Sequence, residues 1–201
     1  MNNQIKTWLA AGSINFFGRQ FSGKDTQARK LAELFGGAVV GGGDILRTHQ
    51  EPGQITEVMN TGALIPSDFF IKLMQSYISK PEFKNKPLML SAVGRSHGEE
   101  SSIMQALENS GHQLKAAILL EISESEVWKR YEAAKALGDR GTRADDDRQA
   151  LQTRLQEFQD KTVPVIEFYR TNNLLIEVDG SLPREQVTDA ILQNLLKIVD
   201  A

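Results

Sequence analysis

Short apolar runs alternate with amphipathic stretches along this chain, the pattern of buried strands joined by crossover helices. Ser13-Ile14-Asn15-Phe16-Phe17 is the first expected strand and ends in Gly18. A helix is expected from about Gly23, with Ala28, Leu31, Ala32 and Leu34-Phe35 at helical spacing and Gly36-Gly37 to stop it. Ala38-Val39-Val40, Leu88-Met89-Leu90, Leu114 to Ile122 and Leu174 to Val178 are the other expected strands. Runs this apolar suit strands buried on both faces of a parallel sheet. Further helices are expected over Asp68–Ile78, Glu99–Glu108, Glu124–Ala136, Asp146–Asp160, Val163–Thr171 and Arg184–Val199. The class that follows is three-layer α/β.

Composition narrows the picture. At 201 residues, 40% hydrophobic and 24% charged, the chain has the make-up of a folded globular protein of one domain. A net charge of -3 gives no support to broad nucleic-acid or membrane-surface binding, which favour a basic excess. The absence of cysteine excludes disulfides and thiolate metal sites, and a cytoplasmic location is the expectation. The opening Met1-Asn2-Asn3-Gln4-Ile5-Lys6 has no basic segment leading into an apolar run, and Trp8-Leu9-Ala10-Ala11 is too short to span a bilayer.

Gly18-Arg19-Gln20-Phe21-Ser22-Gly23-Lys24-Asp25-Thr26 follows the first expected strand and opens the first expected helix. In that context the backbone N–H groups and the helix's positive end form a nest for phosphate. Gly18, Phe21, Ser22, Gly23, Lys24, Asp25 and Thr26 are accordingly the candidate ATP-binding residues, with Lys24 reaching the β- and γ-phosphates. The strict pattern has Ser or Thr directly after the lysine. Here Asp25 stands there, and Thr26, one place later, is the candidate hydroxyl for Mg²⁺. The competing reading, a glycine turn with a surface lysine, does not explain the strand-to-helix setting.

Ser22-Gly23-Lys24-Asp25-Thr26-Gln27-Ala28 resembles the signature of the adenylate kinase family, and further likenesses follow in order. Gly43-Asp44-Ile45-Leu46-Arg47 and Met59 to Pro66 resemble the segments that form the family's monophosphate pocket. Leu90 to Arg95 resembles its aspartate-glycine-phenylalanine-proline-arginine turn. Gly141 to Asp146, then Arg154-Leu155, resemble the lid, and Thr162 to Tyr169 and Ile176 to Gly180 the C-terminal pattern. The likeness runs from about Ile14 to Leu196.

It implies a P-loop α/β/α fold with a five-stranded parallel sheet in the order 2-3-1-4-5. It also implies a monophosphate-binding helical insertion over residues 44–80 and a short lid over 137–146, which, without cysteine, is not the zinc-bearing form. The implied reaction is reversible γ-phosphoryl transfer from Mg-ATP to a nucleoside monophosphate, AMP first, by a monomer. Gly42, Gly43, Asp44, Arg47, Gly62, Leu64, Ile65, Arg95 and Glu99 fall on the monophosphate side. Lys24, Arg95, Arg143 and Arg154 would carry the transfer, and Arg140 would add a lid contact unless it is a solvated surface charge. Such chemistry needs aligned nucleotides and fixed positive charge, and arginine's planar fork suits phosphate oxygens. Asp146 is expected as a helix N-terminal charge and Asp145 as an ion-pair partner for the lid arginines.

The departures are specific. Phe21 replaces a loop glycine and is strained if the position needs positive φ. Asp25 replaces another, and a carboxylate in a first helical turn is favourable where it points away from the nucleotide. Ser91 stands where the family has a carboxylate near the Mg²⁺ waters, leaving Asp44 to contribute. Val93-Gly94 replaces phenylalanine-proline. Gly42 and Glu99 differ from the residues that touch the base, which opens UMP, CMP or another monophosphate as acceptor. Phe21, Asp25 and Ser91 together open a nucleotide-binding module with weak or no catalysis. His49, His97 and His112 are scattered; His97, close to Arg95, reads as a surface histidine rather than a phosphate sensor.

Overall fold

The structure, a computed structural model, describes residues 2–47, 65–137 and 147–200. Strands β1 (Ser13–Phe17), β2 (Ala38–Gly41), β3 (Leu88–Ser91), β4 (Leu114–Glu121) and β5 (Leu175–Asp179) form one sheet in the order β2-β3-β1-β4-β5. Every neighbouring pair is parallel, with Ile14 opposite both Met89 and Ala116. The order is the one the family resemblance implies. β5 departs from the continuous burial expected of it. Ile176 and Val178 are buried while Glu177 and Asp179 are exposed, because an edge strand has one face toward water.

Helices cover both faces. On one side α4 (Ser67–Ile78), α5 (Glu100–Asn109) and α8 (Val163–Thr171) pack Met74, Ile103, Val165 and Tyr169 against Phe17, Leu88, Leu90 and Leu119. On the other, α1 (Asn2–Leu9), α2 (Lys24–Phe35) and α9 (Arg184–Val199) pack Ile5, Leu31 and Ile191 against Ile14, Phe16, Met89 and Ile118. Tyr169 is fully buried, and burial first, with the Glu100 and Glu99 carboxylates behind it, pushes its phenol upward. A third cluster joins α6 (Glu124–Leu137) and α7 (Arg148–Glu157) through Val127, Tyr131, Leu151 and Leu155.

Helix α1 is absent from the sequence-based expectation. It buries only Ile5 and Leu9, one turn apart, and packs on α9, so its apolar stripe is too thin to be recognised locally. Gly36 ends α2 as expected. Its φ of 70° is left-handed, and Gly37 N–H closes on Ala32 O at 2.8 Å.

The helix expected over 146–160 begins at Arg148, capped by Asp147, whose side chain accepts from Ala150 N–H at 2.6 Å. It then widens into a π-helical turn over Phe158–Thr162 before α8. Pro164, in the first turn of α8, has no N–H to return to the preceding turn, and the wider turn accommodates that loss. His112 is buried and donates Nδ1–H to Ala11 O at 2.9 Å. His97 is exposed and sits 2.9 Å from Glu100 Oε1, and His49 lies outside the described residues.

Candidate active site

A cleft of about 350 Å³ opens at the carboxyl ends of β1, β2 and β3, where ligands bind in open α/β sheets. The 18–24 loop enters it from β1. Gly18 has φ 144°, and a Cβ there would stand 2.5 Å from Leu120 O and 2.6 Å from Ser22 Oγ. Gly18→Ala is therefore expected to destabilise the fold by about 2 kcal/mol, read in a denaturant titration. An unchanged midpoint would mean the loop has another conformation available.

The rest of the loop is held from outside. Arg19 Nη1 donates to Ile122 O at 3.1 Å, and its guanidinium lies 5.3 Å from the Phe158 ring centre. Arg130 donates to Phe21 O and Gly180 O, both at 3.0 Å, while its Nε donates to Glu126 at 2.8 Å. Phe21 has φ 63°, so the strain foreseen for a phenylalanine in a glycine position is present. Packing offsets it: the ring meets Tyr131 edge-on at 5.9 Å and joins the Trp128 cluster. The arginine clamp and the aromatic seat hold a loop that glycines would otherwise make permissive.

Lys24 Nζ donates to Gly18 O and Arg19 O, both at 2.9 Å, over the mouth of the loop. Lys24 and Asp25 line the cleft, whereas Thr26 is not on its wall. Asp25 does not point away from the cleft, which corrects the expectation from its place in the helix. Its Oδ1 accepts a 2.6 Å hydrogen bond from Ser91 Oγ at the end of β3. This tie lies at the carboxyl end of the sheet, and its donor, 66 positions away in the chain, is one that the local helix-end argument does not include. Phe21, Ser22, Gly23 and Thr26 belong to the loop and helix start without lining the cleft.

On the β2 side, Gly42, Gly43, Asp44 and Arg47 lie on the short helix α3 (Gly42–Arg47) and line the cleft with Ile65. Asp44 is already engaged through both oxygens, with Oδ2 accepting from Gly41 N–H at 3.1 Å and Oδ1 from Arg47 Nη2 at 2.6 Å. Ser91, Arg95 and Glu99 come from the β3 end and Arg154 from α7. Glu99 is buried and accepts from Ser96 N–H at 3.1 Å through Oε2. Arg140, Arg143, Gly62 and Leu64, with Asp145 and Asp146, lie outside the described residues.

The loop bearing Arg95 is positioned by residues that local sequence reading passes over. Asn15, buried in the middle of β1, donates Nδ2–H to Val93 O at 2.7 Å. Thr162 Oγ1, on the π-helical turn, donates to Arg95 O at 3.1 Å. Arg95 is thereby held near Arg154. Desolvation first, then the like charge of Arg154, brings its guanidinium down to about 10 despite the opposing Glu99 and Glu157 carboxylates. Two neighbouring cations in a partly desolvated cleft make a site for an anion. Arg29 also lines the cleft; its spacing of four from Asp25 on α2 was the available signal.

Residues 16–174 match the family model described as adenylate kinase. The chain is 31% identical to an adenylate kinase of Parvibaculum lavamentivorans over 175 residues, 85% of each protein. It is 28% identical to an adenylate kinase of Kosmotoga olearia, over 91% of this chain and 98% of that one. An adenylate kinase of Thermus thermophilus is 27% identical over 84% of this chain and 88% of its own length.

Proposed function

The chain belongs to the adenylate kinase family, and on that premise we propose that it transfers the γ-phosphoryl group of Mg-ATP reversibly to AMP. One observation supports this most: Lys24, Arg47, Arg95 and Arg154, from four separate elements, line a single cleft beside the 18–24 loop. A site with that many fixed cations suits the charge spread over a moving phosphoryl group. The names of the relatives favour AMP over UMP or CMP as acceptor, and an active enzyme over a slow binding module.

In this reading the loop's N–H groups hold the ATP phosphates, and Lys24 exchanges its carbonyl partners for phosphate oxygens. Arg47 and Arg95 hold the monophosphate, and Arg154, with Arg143 and Arg140 from the 137–146 segment, approaches the transferred group. Closure of that segment as a lid and of 44–80 as the monophosphate-binding insertion would exclude water. Mg²⁺ travels with ATP and supplies charge neutralisation of the phosphates. It binds oxygen and keeps most of its water, and the cleft offers the matching carboxylate and hydroxyl oxygens of Asp25 and Ser91. Among the described residues no helix is long and apolar enough to cross a membrane.

A coupled assay with Mg-ATP and AMP, UMP, CMP or GMP tests the reading. AMP is expected to give the highest kcat/KM. ATP binding without turnover on any acceptor would overturn the enzymatic assignment.

A further inference from the structure

We propose that Asp25 is the carboxylate that holds the water shell of Mg²⁺ beside the ATP phosphates, with Ser91 fixing its orientation. The inference rests on the ATP-binding reading above and concerns a residue that replaces a glycine of the family signature.

Three observations lead to it. Asp25 directly follows Lys24, so its side chain leaves α2 next to the phosphate nest and lines the cleft. Ser91 Oγ, buried at the end of β3, donates to Asp25 Oδ1 at 2.6 Å, which ties the carboxylate to the carboxyl end of that strand. Asp25 Oδ2 accepts no hydrogen bond from the described residues, and no described lysine, arginine or histidine lies within ion-pair distance of Asp25. One oxygen is thus anchored, and the other has no donor among the described residues in a side chain that lines the cleft.

The other cleft carboxylates are committed elsewhere. Asp44 is bound through both oxygens to Gly41 N–H and Arg47. Glu99 is buried, accepts from Ser96 N–H and faces the Arg95 charge. Asp25 forms no ion pair with a described residue, although Arg29 lines the cleft one helical turn away. A bare carboxylate next to a polyphosphate repels it, and a divalent cation between them turns the same charge into an attraction. Mg²⁺ suits that place because it is held by one or two carboxylates together with the substrate's phosphates and keeps several waters. Ser91 by itself carries no charge. The Asp25–Ser91 pair delivers a carboxylate from the helix side to the end of β3.

The charge can be removed without breaking the tie to Ser91, because the amide oxygen of Asp25→Asn still accepts from Ser91 Oγ. Binding of a non-hydrolysable ATP analogue, measured by calorimetry with Mg²⁺ and again with EDTA, separates the metal's contribution from that of the loop. Asp25→Asn is expected to lower the Mg²⁺-dependent gain in affinity by about tenfold, and to leave metal-free binding unchanged or tighter. Adding Ser91→Asp to Asp25→Asn returns a carboxylate to the β3 end and is expected to recover the gain. An undiminished Mg²⁺ gain in Asp25→Asn overturns the proposal, as does a double variant that recovers none of it. If the wild-type chain binds the analogue under neither condition, the ATP-binding reading fails and this inference with it.

Discussion

Lys24→Ala is expected to lower kcat by about a thousandfold with little change in thermal stability. Lys24 Nζ sits over the loop mouth on Gly18 O and Arg19 O. Both hydrogen bonds are only partly buried, so losing the donor costs about 1 kcal/mol. The catalytic loss is larger because the ammonium meets phosphate charge that shifts during transfer, in a site where water is excluded. The loop itself should persist, since Arg19, Phe21 and Arg130 brace it independently of the lysine. Steady-state kinetics and a thermal melt on the same preparation check both halves. Activity within a few-fold of wild type would remove Lys24 from the reaction and leave the loop as a turn.

Arg95→Met is expected to lower kcat/KM by about a thousandfold while raising the melting temperature or leaving it unchanged. Desolvation, then Arg154, brings the Arg95 guanidinium down to about 10. A base whose pKa is lower when folded makes the charged form a cost to folding. That cost is present below the folded value and is relieved as pH rises through about 10 toward the ordinary 12.5. At neutral pH the arginine is charged, so the cost is in force. Methionine keeps much of the volume and removes the charge, which relieves Arg154 as well. An anionic ligand would relieve the same repulsion in the native protein, which is the physical reason to keep two arginines together. A fall of several degrees with kcat/KM little altered would instead make Arg95 a structural residue.

Much of the site was legible before the structure, for local reasons. The strands are near-continuous apolar runs because both faces of β1, β3 and β4 are covered. The 18–24 loop is readable because its glycine and lysine stand at a fixed spacing between such a run and a helical pattern. Arg95 and Arg47 follow from motif position, and the cleft unites them. Asn15 and Thr162 were not legible. Asn15 interrupts an apolar strand without any motif, and its hydrogen bond reaches a residue 78 positions away. Thr162 acts only because the chain widens into a π-helical turn there.

The sequence by itself determined the α/β class and the phosphate loop, since these depend on periodicity and spacing, while the set of cationic residues was what the family resemblance implied. Only the tertiary structure decided where single side chains point. Successive residues on a helix are turned by about 100°, so whether Asp25 or Thr26 faces the phosphates depends on how α2 is seated against the sheet. That seating brings Asp25 to Ser91, 66 positions later in the chain. It likewise presses Phe21 onto Tyr131 and sets Arg95 beside Arg154. In each case the partner is distant in sequence, and the contact exists only once the layers have packed.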